Sequence, residues 1–238
     1  LIMVAYFALT DTNGAFTLDN LAAVSQYSNI FIRSIWLAAV ATVICLIIAY
    51  PLALILANTD KSYQSTVLMI VMLPMWMNFL LRTYAWMTLL GNNGLINSFF
   101  GLFGLGPFKM LNTSGAVVLG MVYNFLPFMI YPIYNTLQKM DRNLIEAAQD
   151  LGANPFQVFM KTIFPLSMPG VMSGIVMVFM PTVSTFAIAE LLTMNNIKLF
   201  GTTVQENINN GMWNYGAALS LIMLLLIGIT ILFTNEED

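Results

Sequence analysis

Several apolar runs in this chain are long enough to cross a bilayer, and they limit its possible folds more than any other feature. Crossing ~30 Å of hydrocarbon takes about 20 mostly apolar residues. Ile35–Ala57, Val67–Leu90, Gly115–Leu137 and Val171–Met194 reach that length, and Gly216–Phe233 is slightly short but strongly apolar. The opening LIMVAYFAL (Leu1–Leu9) reads as the end of a further span whose beginning is missing. The expectation is an all-α integral membrane protein of six transmembrane helices, the first truncated. Turn chemistry separates the runs: DTNG at Asp11–Gly14, NTDKS at Asn58–Ser62, GNNG at Gly91–Gly94 and MNN at Met194–Asn196.

Composition agrees. The chain is 59% hydrophobic and 8% charged, against about a quarter charged in a soluble domain. A net charge of −3 with no basic face argues against nucleic acid as a partner. There is no histidine, and the single cysteine, Cys45, lies inside an apolar run. Disulfides and nearly all metal-site chemistry are thereby removed.

Basic residues near span ends favour the cytoplasmic side. Lys61, Lys139, Arg142 and Lys161 fall on one side of a six-span topology, against the more dispersed Arg33, Lys109 and Lys198 on the other. That thin bias puts Glu146–Leu166 and both chain ends in the cytoplasm. Pro51, Pro74, Pro127 with Pro132, and Pro181 give each of the four long spans a proline, which favours kinked helices in a bundle that rearranges. Gly170 and Gly174 form a GxxxG pattern suited to close helix packing.

The most polar stretch is EAAQDLGANPFQVFMKTIFPL, Glu146–Leu166. Asp141 can cap a helix whose apolar side is Leu144, Ile145, Ala148 and Leu151. Gly152 stands where a left-handed residue ends it, and Asn154-Pro155 is a restart signal. Phe156, Phe159, Met160 and Ile163 form a second apolar stripe, and Pro165 closes it. Two short amphipathic helices at a sharp angle result. They can lie greasy side down on lipid or dock their exposed Phe and Leu side chains in a groove on a cytoplasmic partner.

Glu146-Ala147-Ala148, then Gly152, then Pro165 resembles the EAA signature of bacterial ABC-importer permeases, with Thr162 and Phe164 where Ile and Leu are usual. Four further stretches resemble the B-type permeases of spermidine/putrescine importers: Leu73–Asn97, Gly120–Asp141, Ile145–Ala153 and Pro165–Val171. The likeness runs from about Phe16 to Phe233. It implies one transmembrane permease domain over 1–238 and a cytoplasmic coupling loop over 139–165 that inserts into an ATPase. Glu146, Ala147, Ala148, Gly152, Phe156, Phe159 and Pro165 are the implied coupling residues. The implied partners are a second, related permease, two ATPase subunits and a substrate-binding protein outside the membrane, with lipid around the chain. No cofactor is expected here: ATP and Mg belong to the ATPase, and this sequence has no GxxxxGK[ST] phosphate loop. Relatives on this scaffold carry polyamines, other organic cations, phosphonates or metal complexes.

Ionisable residues inside a span are functional candidates by default. Arg82 and Glu190 both fall in the outer third of their spans, with Glu190 about 6 Å below the outer end. They either snorkel to the interface, pair with one another, or line the substrate path. An acid one turn from Phe186 suits an ammonium, by charge and by cation–π attraction, and the resembled permeases carry an acid at this point, more often Asp. Tyr84, Trp86 and Trp76 add aromatic character to the third span, where they can also be interfacial anchors. A membrane enzyme is disfavoured by the lack of His and of clustered acids. A stand-alone channel or secondary carrier is disfavoured by the docking hairpin.

Overall fold

The computed structural model describes residues 2–11 and 14–235, with side chains as far as Gly228. The described chain is helical apart from turns, loops and one isolated bridge between Thr10 and Phe16. In order the helices are α1 (Ile2–Ala8), α2 (Asp19–Ala23), α3 (Ser28–Asn58), α4 (Lys61–Trp76), α5 (Phe79–Leu90), α6 (Leu95–Leu102), α7 (Ser114–Lys139), α8 (Arg142–Asp150), α9 (Pro155–Val158), α10 (Phe164–Ser184), α11 (Ala187–Thr193), α12 (Phe200–Asn209) and α13 (Trp213–Asn235). A 3₁₀ turn at Val24–Tyr27 joins α2 to α3, and a π turn at Phe159–Ile163 joins α9 to α10.

Three continuous helical stretches are long and apolar enough to cross a membrane: Asp19–Asn58, Ser114–Lys139 and Pro155–Ser184. A fourth is reached if α4 is taken together with the helical stretch Phe79–Leu102. Two expected spans are therefore not single helices. Val67–Leu90 breaks after Trp76, where the Asn78 side chain accepts hydrogen bonds from the Leu80 and Leu81 N–H groups (2.9 and 3.3 Å) and starts α5 afresh. Val171–Met194 breaks at Thr185–Phe186. There the Ser184 hydroxyl bonds back to the carbonyls of Met180 and Pro181 (3.1 and 3.2 Å), beside a proline that supplies no N–H. The expected first span is represented by the seven-residue α1, with Leu1 outside the described residues. The expected sixth span lies within α13, and its side chains past Gly228 are outside the described residues. Residues 12 and 13 of the expected DTNG turn are outside them too.

The chain forms two compact units: one of the residues up to Ala41, Asn78–Met121 and those from Phe179 on, the other of Thr42–Met77 and Val122–Val178. In the second, α3 turns the fully buried Cys45, Ala49 and Ala53 toward a core that includes Met129, Ile130, Ile133 and Tyr134 of α7 and Val171 and Val178 of α10. Small side chains four residues apart let these helices approach closely. Gly170 and Gly174 do the same on α10. A Cβ at Gly170 would stand 2.8 Å from the Pro132 carbonyl oxygen, and one at Gly174 would stand 2.7 Å from Met129 Sδ.

In the first unit the short α11 buries five of its seven residues. Gly120 of α7 faces it, and a Cβ there would meet Leu192 at 2.7 Å and Ile188 at 2.9 Å. The Ser34 hydroxyl oxygen accepts the Phe200 N–H at 2.7 Å, which ties the start of α12 to α3. At the N-terminal end, the Asn214 side-chain amide donates to the carbonyls of Phe7 and Thr10.

Gly170→Ala is expected to destabilise the protein by about 1–3 kcal/mol, because its methyl meets backbone, which yields poorly. Gly228→Ala, with nothing within 4 Å of the added methyl, is the matched control. Thermal melts of the purified protein compare them, and an unchanged melt for Gly170→Ala contradicts the close approach of α10 to α7.

Candidate functional site

The polar stretch folds as a helix, a glycine turn and a second helix. Asp141 Oδ1 accepts the Asn143 N–H at 3.0 Å and starts α8. At its end, Gly152 takes φ +80°, its N–H donates to Gln149 O (2.8 Å) and the Ala153 N–H donates to Ala148 O (3.1 Å). These two bonds are the Schellman pattern, which needs a left-handed residue at Gly152. The chain restarts through a reciprocal capping box: Asn154 Oδ1 accepts from the Gln157 N–H (2.8 Å), and Gln157 Oε1 accepts from the Asn154 N–H (2.9 Å). Pro155 occupies the first helical position.

The second helix does not close at Pro165, as the sequence led us to expect. Helix runs from Pro155 to Ser184 without a gap, through the π turn at Phe159–Ile163. The Phe164 N–H reaches back five residues to Phe159 O. Wider winding just before Pro165 makes room for a ring that would otherwise clash with the preceding turn. The surface hairpin is thus covalently and helically continuous with α10.

The implied coupling residues divide by exposure. Phe156 is 71% exposed and held outward, and Leu151, a large apolar side chain outside that set, is 89% exposed beside the turn. Glu146, Ala147 and Gly152 are also exposed, Ala148 is half-buried, and Pro165 lies exposed along the continuous helix. Phe159 turns inward instead. Its ring meets Tyr50 edge-on with centroids 5.7 Å apart, and Phe164 stacks beside both. The Tyr50 hydroxyl lies 2.7 Å from Ser167 Oγ. Since the serine hydroxyl donates to Phe164 O at 2.8 Å, Tyr50 is the donor to Ser167. Phe159 therefore anchors the hairpin to α3 while Phe156 and Leu151 face outward.

The charged pair foreseen as one alternative does not form. Arg82 is only 8% exposed, and its Nε and Nη1 have no hydrogen-bond partner among the described residues. The ion pair among these residues is Lys198–Glu206 at 2.6 Å. Arg82 thus neither snorkels outward nor reaches Glu190. Glu190 is exposed in the first turn of α11, and its N–H donates at 3.0 Å to the carbonyl of Phe186 at the break before that helix. Phe186 is itself 41% exposed, so acid and ring are neighbours one turn apart at a helix break. Tyr84 on α5 is exposed, and Trp76, the last residue of α4, is more so.

Sequence reasoning missed Gln64. Buried in α4, it donates to the carbonyls of Ala57 (3.4 Å) and Thr59 (2.8 Å), and it accepts from the Tyr134 hydroxyl and the Gln138 amide, each at 3.2 Å. It satisfies the carbonyl end of α3 and ties α7 to it. An amide opening an apolar run was its only signal.

The family model described as binding-protein-dependent transport system inner membrane component matches residues 49–235. The chain is 38% identical over 208 residues to the spermidine/putrescine transport system permease protein PotB of Haemophilus influenzae, covering 86% of this chain and 73% of that one. It is 34% identical over 222 residues to PotB of Escherichia coli, covering 91% and 81%. The inner membrane ABC transporter permease protein YdcU of Escherichia coli is 30% identical over 236 residues, covering 92% and 75%. Among solved structures, a bacterial ABC transporter involved in the import of the acidic polysaccharide alginate superposes with a TM-score of 0.78 at 19% identity, over 99% of this chain and 87% of that one. That likeness establishes the fold alone.

With no ion pair between them, Arg82→Gln and Glu190→Gln are expected to act additively on stability, within about 0.5 kcal/mol. Thermal melts of the two single variants and the double variant test this. A rescue by the double variant of more than about 1 kcal/mol contradicts the separation of the two charges.

Proposed function

This chain belongs to the binding-protein-dependent transport system inner membrane components, and from that premise we propose that it is the permease subunit of an ATP-driven polyamine importer. Its place is the bacterial inner membrane, crossed six times, with the first span and the sixth contributed by the segments around α1 and α13. One permease domain over 1–238 pairs with a related permease, two ATPase subunits and an external substrate-binding protein. Hydrolysis belongs to the ATPases, which hold the ATP and Mg, so this subunit is not itself an enzyme.

The observation that carries the reading is the hairpin of residues 142–158, with Phe156 and Leu151 outward and its second helix continuous with α10. Glu146, Ala147, Ala148 and Gly152 form the face and the turn that meet the ATPase. Phe159 and the helix through Pro165 carry its movement into the span. An apolar knob seated in a partner groove supplies affinity, and the unbroken helix turns displacement at the surface into displacement within the bilayer. The names of the PotB relatives support spermidine and putrescine as cargo. In this reading Glu190 and Phe186, at the break before α11, offer a carboxylate and a ring face to a passing ammonium. Arg82 and Tyr84, of the same unit, border that path.

Three measurements test the proposal. In liposomes the lone chain is expected to take up no labelled spermidine, and uptake requires the ATPase and the second permease. Uptake by the lone chain contradicts the assignment. Gly152→Val is expected to weaken ATPase pull-down and uptake together. A Cβ there meets nothing within 4 Å, but a β-branched residue at φ +80° strains the turn. Gly152→Asn, which tolerates the left-handed region, keeps most of both; normal pull-down and uptake by Gly152→Val remove the turn from coupling. Glu190→Gln is expected to lower uptake severalfold while assembly and ATPase docking stay normal. Unchanged uptake per assembled complex takes Glu190 off the path.

A further inference from the structure

At the ends of the apolar helices of the second unit lies a cavity of about 550 Å³, to which the hairpin contributes Arg142 and Ile145 from its inner side. It is bounded by the last turn of α3, the first turn of α4, the last turn of α7 and the start of α8. One wall is apolar, from Leu54, Leu137, Ile145 and Ile163. Ala57 and Met140 add to it; the other lining residues are polar, and their buried member, Gln64, has both donor and acceptor atoms engaged within the protein. The floor therefore asks for no ligand. The rim does.

Lys61 and Arg142 both line the cavity, both are exposed, and neither makes an ion pair among the described residues. Each is the first residue of its helix, α4 and α8, with no acid in the first turn of either. Each helix is preceded by an acidic N-cap, Asp60 and Asp141, which offsets the positive end of its dipole, so the positive charge at the rim is that of the two side chains themselves. Asp60, the N-cap of α4, also lines the cavity, but its carboxylate takes no hydrogen bond from the helix. The balance of formal charge at the rim is one positive.

We propose that this cavity binds a phosphate-bearing anion, its charge between Lys61 and Arg142 and any hydrocarbon against the Leu54–Ile163 wall. The chemistry matches: two cations without an ion pair among the described residues line one concavity at the helix ends, together with large apolar side chains. Basic pockets between membrane helices hold phospholipid headgroups. A free phosphate shares the anionic half of this chemistry but leaves the apolar wall unused. An occupant would join the ends of α3, α4 and α7 to the start of the hairpin. It does not depend on which solute the importer carries.

The test uses the assembled importer in nanodiscs of phosphatidylcholine, or of phosphatidylcholine mixed three to one with phosphatidylglycerol, followed by thermal melts and native mass spectrometry. Phosphatidylglycerol is expected to raise the melting midpoint and to be retained on the permease. Lys61→Gln with Arg142→Gln is expected to lower its affinity about thirtyfold, at roughly 1 kcal/mol for each cation. Lys61→Arg with Arg142→Lys keeps the charge and retains the effect, which separates loss of binding from misfolding. In a parallel arm, inorganic phosphate is added to the phosphatidylcholine discs. Stabilisation there that is equally sensitive to the double Gln variant assigns the site to free phosphate, and stabilisation by phosphatidylglycerol alone assigns it to lipid. No response of the wild type in either arm overturns the proposal. So does an equal loss of phosphatidylglycerol affinity in Lys109→Gln, whose cation lies in the other unit.

Discussion

Whatever the hairpin does, it does through a helix that is not interrupted by its proline. Pro165 lacks an N–H and crowds the turn before it, yet helix runs from Pro155 to Ser184 because the π turn at Phe159–Ile163 widens the winding there. Two contacts hold that turn in place. Tyr50 donates to Ser167 and packs its ring between Phe159 and Phe164. One turn further on, Gly170 and Gly174 let α10 lie directly on α7. Without these, a surface element and a membrane element would be joined by a loose linker, and movement in one would have no fixed consequence in the other.

The few charges of this chain sit in distinct environments. Arg82 is buried with its Nε and Nη1 unpartnered among the described residues, Glu190 is exposed at a helix break, and Lys61 and Arg142 line a cavity from the first positions of two helices. In an apolar setting an unpaired ion costs far more than in water. Such a distribution suits a subunit whose function is completed by other molecules. The exposed apolar side chains Leu151 and Phe156 carry the same implication at the hairpin.

Much of the hairpin was legible because its signals are local. Asp141, Gly152, Asn154 and Pro155 each act on the backbone within a few residues, and each appears in its expected role. The expected stop at Pro165 failed because a π turn depends on what packs around it, and Tyr50 is remote in sequence. The two broken spans were hidden for a related reason. Asn78 and Ser184 sit in strongly apolar runs, where hydropathy outvotes a single cap or hydroxyl. Arg82 and Glu190 stand out in the sequence, but a sequence cannot say whether two such charges meet.

The sequence alone determined the solvent, the class and the family. Apolar runs of bilayer length leave only helices as a way to satisfy the backbone, and the EAA stretch with its glycine turn is a local pattern. Tertiary structure decided which apolar runs are single helices and which faces of the hairpin stay free. It also turned Phe159 inward and Phe156 outward, and it gathered Lys61 and Arg142 at one cavity. These outcomes rest on contacts between helices distant in the chain, where a side chain's neighbours are set by packing and not by its own spacing.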